Sequence, residues 1–498
     1  MINSVLLLAL AAPQGQWETH LEIIGTPSDH FSFGQWVGDL DQDGAEDFGL
    51  WQEGLNPGLT VRSGRTGSEI FFLPDSANPF QYHGFLEAVD DLNSDGYPDF
   101  VLYNPSGLEG AVLLYSGRDG ALLWRTVELN SLFGTDVALI PDRTGDGVSD
   151  LAVSDPGHMS NMEFGNVHVL SGASGAYSYS YTYGNQGDPF GSQVEVLDDL
   201  DGDGVSELVT CGGLYDDLLI LESGGAVSAF PVPIPSSSGG FQKLASGDFN
   251  GDGLTDLAVS AGDLRFPRNG VVVLDAPTFS LREVVWSPEV TSFPNELQAT
   301  PDFDGDGCDD LLCHGMEWPS HNSLTLYSGA TGTVLVQFID PDPFQTGFPS
   351  NPSTCLDASG DGRPELMIGM ADYANIGTGQ SSLFRLVSGP AFLLLEISEL
   401  ISGQFATSTV SRADPGRPVW LLASKQAEPS TLPGGVPVNL GQPLQAVSQG
   451  ITDSNGQWHL QATIPSSVPI GEPIFFQVLC LDSLGSFVPS NVVCRVVQ

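Results

Sequence analysis

An acidic nonapeptide near the start of the chain has the spacing of a metal-binding loop. Residues 39–47 read DLDQDGAED, with carboxylates at positions one, three, five and nine and a glycine at position six. A hard divalent cation prefers six to eight oxygen ligands, and acids at alternate positions turn toward one ion when the chain curls around it. Gly44 lies at the sharp bend, where a positive φ favours glycine. The loop therefore predicts a calcium site.

The same loop occurs seven times along the chain. The copies begin at residues 39, 91, 142, 199, 248, 302 and 357, which gives a period of about 50 residues. A period of this length is typical of propellers and arrays rather than of an ordinary domain. Seven equivalent sites around a ring cannot form one catalytic centre. Calcium is therefore predicted to stabilise the fold and not to act as a reagent.

The predicted ligands of each loop are the side chains at positions one, three, five and nine and the backbone carbonyl at position seven. Copy by copy, they are Asp39, Asp41, Asp43, Ala45 and Asp47; Asp91, Asn93, Asp95, Tyr97 and Asp99; Asp142, Thr144, Asp146, Val148 and Asp150; Asp199, Asp201, Asp203, Val205 and Glu207; Asp248, Asn250, Asp252, Leu254 and Asp256; Asp302, Asp304, Asp306, Cys308 and Asp310; and Asp357, Ser359, Asp361, Arg363 and Glu365. Asn93, Thr144, Asn250 and Ser359 each replace an acid. We expect those four loops to bind calcium more weakly.

An EF-hand is the other motif that begins with this pattern. It needs a glutamate at position twelve and a helix after the loop. Position twelve is instead Leu50, Leu102, Val153, Thr210, Val259, Cys313 and Ile368 in the seven copies. The residues after position nine are rich in Val, Leu and Phe, which predicts strands. The EF-hand hypothesis therefore fails at all seven sites.

Each acidic loop belongs to a larger unit with the pattern of four antiparallel strands. An apolar run follows the loop, as in DFVLY at 99–103, and a glycine-led strand comes next, as in GAVLLYSG at 110–117. An aromatic residue or histidine beside a glycine or proline precedes most loops, as in Phe33-Gly34 and His83-Gly84. Four short strands per unit are typical of a propeller blade. The chain is predicted to be all-β, with a seven-bladed β-propeller at residues 17–390.

The phenylalanine-glycine pair, the DxDxDGxxD loop and the glycine-led strands together resemble the FG-GAP repeat of the integrin α-subunit propeller and its bacterial relatives. The resemblance spans residues 17 to about 390. It departs from the family in its His-Gly and Phe-Pro variants and in having a ligand loop in every unit. It implies Ca²⁺, up to seven ions, as cofactor and a binding or adhesion role, but it does not specify the ligand.

Two segments compete to close the last blade. Either the strand WETHLEIIG, from residue 17, completes it as an outer strand, or AFLLLEISE, from residue 391, closes it. After residue 390 the acidic loops stop. Residues 391–498 predict a small immunoglobulin-like β-sandwich, with a role as spacer, sorting element or carbohydrate-binding module.

The first residues predict export. The apolar run from Val5 to Ala12 is too short to span a bilayer and has small residues at a cleavage position, so residues 1–12 are interpreted as a signal peptide, although no basic residue precedes the run. No later segment is predicted to be transmembrane. A secreted, cell-surface or periplasmic location follows, and it is compatible with the six cysteines. A hairpin would bring Cys480 and Cys494 opposite each other, which predicts a disulfide.

Charge limits the partners. The chain has 62 acidic and 15 basic residues and a formal net charge of -47. Electrostatic binding to nucleic acid or to an anionic membrane is therefore excluded as a predicted role. Solubility remains a second explanation for the acids outside the loops.

No catalytic residues are predicted, because the sequence lacks HExxH, GxSxG and P-loop motifs. A partner surface is expected opposite the calcium loops, where segments between the second and third strands vary most. The candidate ligand-binding residues there are Trp51, Tyr103, His158, Tyr215, Arg265, Arg268, Trp318, His321 and Tyr373. The predicted function is a calcium-stabilised extracellular module that binds a protein or a glycan. The alternative is a polysaccharide lyase or glycoside hydrolase, since abundant carboxylates can supply an acid–base pair.

Overall fold

The structure is a computed structural model of the chain. It describes residues 18–24, 29–54, 56–74, 85–105, 109–156, 164–184, 190–200, 202–212, 217–222, 226–229, 243–263, 268–287, 296–317, 321–339, 353–355, 357–359, 364–370, 383–388, 394–397, 405–411, 416–424, 430–431, 437–438, 445–452, 458–463, 473–481, 487–489 and 493–496. The predicted signal peptide lies outside these residues. Two compact units divide the chain, one formed mainly by residues 19–301 and 309–388 and the other mainly by 389–498.

Every regular element among the described residues is a β-strand. The first unit begins with β1 (Glu18–Ile24). Sheet 1 follows, with β2 (Asp29–Gly38), β3 (Asp47–Gly54), β4 (Gly58–Arg62) and β5 (Glu69–Pro74). Sheet 2 consists of β6 (Phe85–Val89), β7 (Asp99–Pro105), β8 (Glu109–Tyr115) and β9 (Leu122–Leu129). Sheet 3 consists of β10 (Val137–Ile140), β11 (Asp150–Asp155), β12 (Asn166–Leu170) and β13 (Tyr177–Thr182).

Sheets 4 to 6 repeat this antiparallel order. Sheet 4 consists of β14 (Gln193–Val196), β15 (Leu208–Gly212), β16 (Asp217–Leu221) and β17 (Val227–Ala229). Sheet 5 consists of β18 (Leu244–Gly247), β19 (Asp256–Asp263), β20 (Arg268–Asp275) and β21 (Ser280–Ser287). Sheet 6 consists of β22 (Glu296–Thr300), β23 (Asp310–Glu317), β24 (His321–Tyr327) and β25 (Val334–Ile339).

Sheet 7 joins the two ends of this unit. Its strands are β26 (Ser353–Cys355), β27 (Glu365–Met370) and β28 (Leu383–Ser388), and β1 is the fourth strand, paired with β28. Of the two predicted ways to close the last sheet, the structure therefore has the N-terminal strand. The described residues thus form seven four-stranded sheets in this unit, and the predicted all-β architecture of four-stranded antiparallel units is confirmed.

The first strand of each sheet, called here the inner strand, lies next to the inner strands of neighbouring sheets. β2 contacts β6 and β26, and β22 contacts both β18 and β26. A cavity of about 710 Å³ lies among the inner strands β2, β6, β10, β14, β18 and β22. Apolar clusters join consecutive sheets, as between sheets 1 and 2 and between sheets 2 and 3. The sheets therefore follow one another around a central cavity.

The burial pattern explains the continuous apolar runs after each loop. In β7 the residues from Asp99 to Asn104 are all buried, because neighbouring sheets cover both faces of this strand. The outer strand β9 is mostly exposed. Strands buried on both faces read as uninterrupted apolar runs, whereas half-exposed strands alternate. The repeated run DFVLY therefore belongs to a strand between two sheets.

The second unit contains short antiparallel sheets. One has β29 (Leu394–Ile397), β30 (Phe405–Ser411) and β35 (Trp458–Thr463). The other has β31 (Pro418–Ser424), β34 (Gln445–Ile451), β36 (Pro473–Leu481), β37 (Phe487–Pro489) and β38 (Val493–Val496). β32 (Ser430–Thr431) and β33 (Pro437–Val438) form a pair. No helix in the described part of the chain is long and apolar enough to cross a membrane.

The strand register bears on the predicted disulfide. Cys480 lies opposite Val488 of β37, whereas Cys494 lies opposite Phe475 of β36. Five residues of β36 separate the two positions, about 16 Å at the rise of a strand. A disulfide needs Cα atoms within about 7 Å of each other. This register therefore does not place the two cysteines opposite each other as the hairpin predicted.

Candidate metal sites and the central cavity

The acidic loops share one backbone conformation. The position-six glycine has a φ of +85° to +91° in the six loops where it is described. Its N–H donates to the carboxylate of position one at 2.7–2.9 Å, as from Gly44 to Asp39 and from Gly147 to Asp142. Backbone N–H bonds to Asp142 hold the pKa of its carboxyl below the ordinary value. The ionised form of Asp142 is thus favoured while it closes its loop.

Four loops bring three carboxylates together. Their oxygen atoms lie within 4.8 Å of one another in the sets Asp39, Asp41 and Asp43; Asp142, Asp146 and Asp150; Asp199, Asp203 and Glu207; and Asp302, Asp304 and Asp306. Like charges this close repel one another unless a cation lies among them, and carboxylate oxygens are the ligands that calcium prefers. These residues fit a calcium ion. Asp201, Asp361 and Arg363 lie outside the described residues.

Position four of the loop also needs a left-handed conformation, which the sequence pattern did not reveal. Gly145, Gly202, Gly251 and Gly305 occupy it in four copies with φ between +74° and +80°. Gln42 and Ser94 occupy it in the first two copies, with φ of +59° and +60°. Residues with a Cβ atom are strained in this region by about 1 kcal/mol or more.

Glycine at position 94 should therefore stabilise the second loop. We expect Ser94→Gly to raise the free energy of unfolding by roughly 0.5–1 kcal/mol, because it relieves left-handed strain. Urea denaturation measures the change. Ser106→Gly, in a segment between strands, is a control for the flexibility that an added glycine gives the unfolded chain. A lower stability of Ser94→Gly than of wild type would contradict the expectation.

The position-nine acid is the least exposed part of each loop. Asp47, Asp99, Asp150, Asp256 and Asp310 are 0% exposed, as is Glu365, and Glu207 is 3% exposed. In Asp150, Oδ2 accepts from the N–H groups of Arg143 and Thr144, both at 2.7 Å, and Oδ1 accepts from Gly172 N at 3.2 Å. The sequence predicted a metal ligand here. The structure adds a second role, because this carboxylate joins the start of the loop to the turn after the third strand of the sheet.

Gly172, in the turn after β12, is held between two groups of the loop. Gly172 donates to Asp150, and a Cβ atom on Gly172 would lie 1.9 Å from the carbonyl oxygen of Ser149. Gly64, Gly117 and Gly329 are placed in the same way against Glu46, Pro98 and Asp309. No other residue has room there. This contact explains the recurrent serine-glycine that follows the third strand of these four sheets.

The phenylalanine-glycine pair lies between sheets. Phe133 and Phe190 are 0% exposed. A Cβ atom on Gly134 would lie 2.8 Å from the carbonyl oxygen of Ala111 in the preceding sheet, and one on Gly110 would lie 2.4 Å from that of Phe133. Two backbones thus approach without side chains between them. The pair and the glycine at the start of the third strand therefore belong to one contact between neighbouring sheets.

The acidic repeat has counterparts in known proteins. A family model described as an FG-GAP-like repeat matches residues 199–259, from the fourth acidic loop to the strand after the fifth. Integrin alpha-5 of Xenopus laevis is 23% identical over 230 residues, and integrin alpha-V of Gallus gallus is 28% identical over 208 residues. In sequence, the chain is thus similar to FG-GAP-like repeats and to integrin α-subunits. The matches cover 41% and 36% of this chain and only 22% and 20% of those two relatives, so the chain spans about a fifth of their length.

Solved structures that superpose on this chain include a propeller. Sqt1 of Saccharomyces cerevisiae superposes with a TM-score of 0.41 at 11% identity over 69% of this chain and 81% of its own. The Dos1 propeller superposes with a TM-score of 0.41 at 11% identity over 75% and 95%. The biofilm matrix protein Bap1 of V. cholerae superposes with a TM-score of 0.33 at 13% identity over 83% and 72%.

The structure describes only some of the residues predicted to bind a ligand. Trp51 is 3% exposed in the apolar cluster between sheets 1 and 2, and Tyr103 is 7% exposed in the cluster between sheets 2 and 3. Neither is an exposed anchor, and both are corrected to core positions. Arg268 and His321 begin β20 and β24. His158, Tyr215, Arg265, Trp318 and Tyr373 lie outside the described residues.

The central cavity holds charged residues that the sequence patterns did not single out. Glu87, Asp136, Glu195 and Glu296 line it together with Lys243. Burial, together with the nearby charge of Asp136, raises the pKa of the Glu87 carboxyl to about 8. Burial also raises the pKa of Glu195 to about 8 and that of Asp136 to about 6. A group of carboxylates thus lies inside the propeller, away from the acidic loops.

Proposed function

We propose that the chain is an extracellular binding module, built as a seven-bladed calcium-stabilised β-propeller followed by a β-sandwich. Its partner is a protein or a glycan. The observation that carries this proposal is the repeated acidic loop, whose position-six glycine has the same conformation in the six copies where it is described and which gathers three carboxylates in four copies. Repeated metal sites at equivalent places of a ring stabilise a scaffold, and a stable scaffold leaves its variable connections available for recognition.

The order of the sheets and the contacts between strands support both the count of seven blades and the β-sandwich. Seven four-stranded sheets are present among the described residues of the first unit, and β2 lies beside β26. In the second unit, Gly450 of β34 lies against the ring of Trp458 of β35, which brings residues of two different sheets together. Sheets that face each other in this way are typical of a β-sandwich.

A second line of support is the similarity to integrin α-subunits. We place the binding surface on the connections between the second and third strands of the sheets. Arg265 and Arg268 are the strongest candidates there, since the chain has only 15 basic residues. Their charge would complement the acidic groups of a protein or glycan.

A binding screen tests this function. The full chain, saturated with calcium, is applied to arrays of glycans and of extracellular proteins, and hits are measured by surface plasmon resonance. We expect a specific hit whose affinity falls at least about tenfold in the double variant Arg265→Ala and Arg268→Ala, as for anchors at an interface. Arg125→Ala is the control, because Arg125 lies on the outer strand β9, where it pairs with Glu109 of β8. Cleavage of a polysaccharide in the screen would favour the lyase or hydrolase alternative.

A further inference from the structure

The central cavity has the size of a small-molecule site. Its volume of about 710 Å³ lies within the roughly 300–1,000 Å³ typical of such sites. The lining comes from six inner strands and from residues of β7 and β23. Its charge is one-sided, because Glu87, Asp136, Glu195 and Glu296 face a single lysine, Lys243. The cavity is therefore suited to a cationic occupant.

Tyr103 and His314 also line the cavity. Tyr103 is 7% exposed, and burial raises the pKa of its hydroxyl well above the ordinary value, with smaller contributions from Asp136, Glu87 and Glu195. Neither ring nitrogen of His314 has a hydrogen-bond partner, and the nearest acid, Glu296, is 3.8 Å away. Buried polar groups are almost always hydrogen-bonded, so such groups indicate a missing partner.

The available groups are acceptors. Carboxylate oxygens, a phenol oxygen and a neutral imidazole nitrogen all accept hydrogen bonds, and an ammonium group has three donors and no acceptor. Glu195 accepts from Gln193 at 3.2 Å and from Ser246 at 2.9 Å, which fixes its side chain within the cavity. Asp136 accepts from Val194 N at 2.9 Å. The carboxylates are thus held in place before any ligand arrives.

A metal ion fits this cavity less well than the loops. Among the described residues, sets of three acidic or histidine ligands within 4.8 Å of one another occur in the acidic loops, and none is formed by Glu87, Asp136 and Glu195. Separated charges in a large cavity match an extended molecule with several charges. We propose that the cavity binds a linear diamine or polyamine, with its ammonium groups among Glu87, Asp136 and Glu195 and within reach of Tyr103 and His314.

Proton release accompanies this binding. With folded pKa values near 8, Glu87 and Glu195 are largely protonated at pH 7, and a bound ammonium favours their ionised form. Binding should therefore release protons, and affinity should rise between pH 6 and about 9, until the amines themselves lose protons. The titratable and charged groups that face the ligand are Glu87, Asp136, Glu195, Glu296, Lys243, His314 and Tyr103.

Calorimetric titration with spermidine, in excess calcium chloride so that the loops are filled, tests the proposal. We expect one saturable site and an enthalpy that changes with the ionisation enthalpy of the buffer. Glu87→Gln and Glu195→Gln should each weaken binding at least about tenfold, because each removes a buried charge partner of the ligand. Tyr103→Phe keeps the ring in the core and should weaken binding by a smaller factor. Glu109→Gln, which removes an exposed carboxylate of β8, should leave the affinity within about twofold of wild type.

Three results would overturn this assignment. They are no binding heat with wild type, equal affinity in the Gln variants and wild type, and competitive displacement of spermidine by calcium. The second result would mean general attraction to the acidic surface, and the third would mean a metal site. Thermal melts of each variant check folding. Because Gln resembles the neutral, protonated form that Glu87 mostly has at pH 7, Glu87→Gln should melt no lower than wild type.

Discussion

Chelation of calcium should lower the midpoint of thermal unfolding by on the order of 10 °C or more. Each site adds about 2.7 kcal/mol to the free energy of unfolding when free calcium is about 100-fold above its Kd. A propeller of roughly 370 residues unfolds with an entropy near 0.8 kcal/mol per kelvin, so each site contributes about 3 °C. Four loops gather three carboxylates. Differential scanning calorimetry with calcium and with EDTA measures the difference.

Magnesium is the control for this experiment. It demands near-octahedral geometry and keeps several waters, so loops that gather three carboxylates should prefer calcium. Adding magnesium to the chelated protein should restore only a small part of the lost stability, and adding calcium should restore all of it. The same melting curve with and without chelator would remove calcium from the description of this protein.

Replacement of the buried position-nine acid should destabilise the protein with or without calcium. We expect Asp150→Ala to reduce the free energy of unfolding by about 3–5 kcal/mol, since the N–H groups of Arg143, Thr144 and Gly172 lose their acceptor inside the protein. Urea denaturation in calcium and in EDTA measures the effect. A loss confined to the calcium buffer would show that Asp150 acts only as a metal ligand.

The matched control is Asp142→Asn in the same loop. Asp142 is exposed, Gly145 and Gly147 donate to different oxygens of its carboxylate, and the single asparagine oxygen can still accept one of these two hydrogen bonds. It removes one charge that calcium needs, so it should destabilise the protein in calcium and change little in EDTA. The two variants together separate metal binding from the hydrogen bonds that hold the loop. If both behaved alike in EDTA, the distinction between positions one and nine would be wrong.

The sequence was sufficient for the strands and the loops because their signals are local. Seven copies of one pattern gave each sheet its boundaries, and the continuous apolar runs identified strands covered on both faces. The left-handed glycine at position six follows from the bend alone. The second role of Asp150 was missed because its partner Gly172 is 22 residues away, and only the folded sheet brings them together.

The cavity acids were missed for a related reason. Glu87 and Glu195 occupy equivalent places on inner strands, opposite Val101 and Val209. The equivalent residues in sheets 1 and 3 are Gln35 and Ala138, so no charge repeats at this place in every unit. In the sequence, a polar residue on an inner strand therefore looks the same as a polar residue at the edge of any strand. Trp51 shows the opposite error, since an aromatic residue beside a variable segment was expected to be exposed and is in the core.

The pairing of β1 with β28 has a consequence for how the chain folds during synthesis. Sheets 1 to 6 join strands that are close in sequence, so each can form as soon as its own segment has been made. Sheet 7 joins residues 18–24 to residues 383–388 and must close a loop that contains all the other sheets. Until then β28 has an unpaired edge that can associate with other chains. Completion of the ring is therefore the slow, last step, and release of the first strand reverses it.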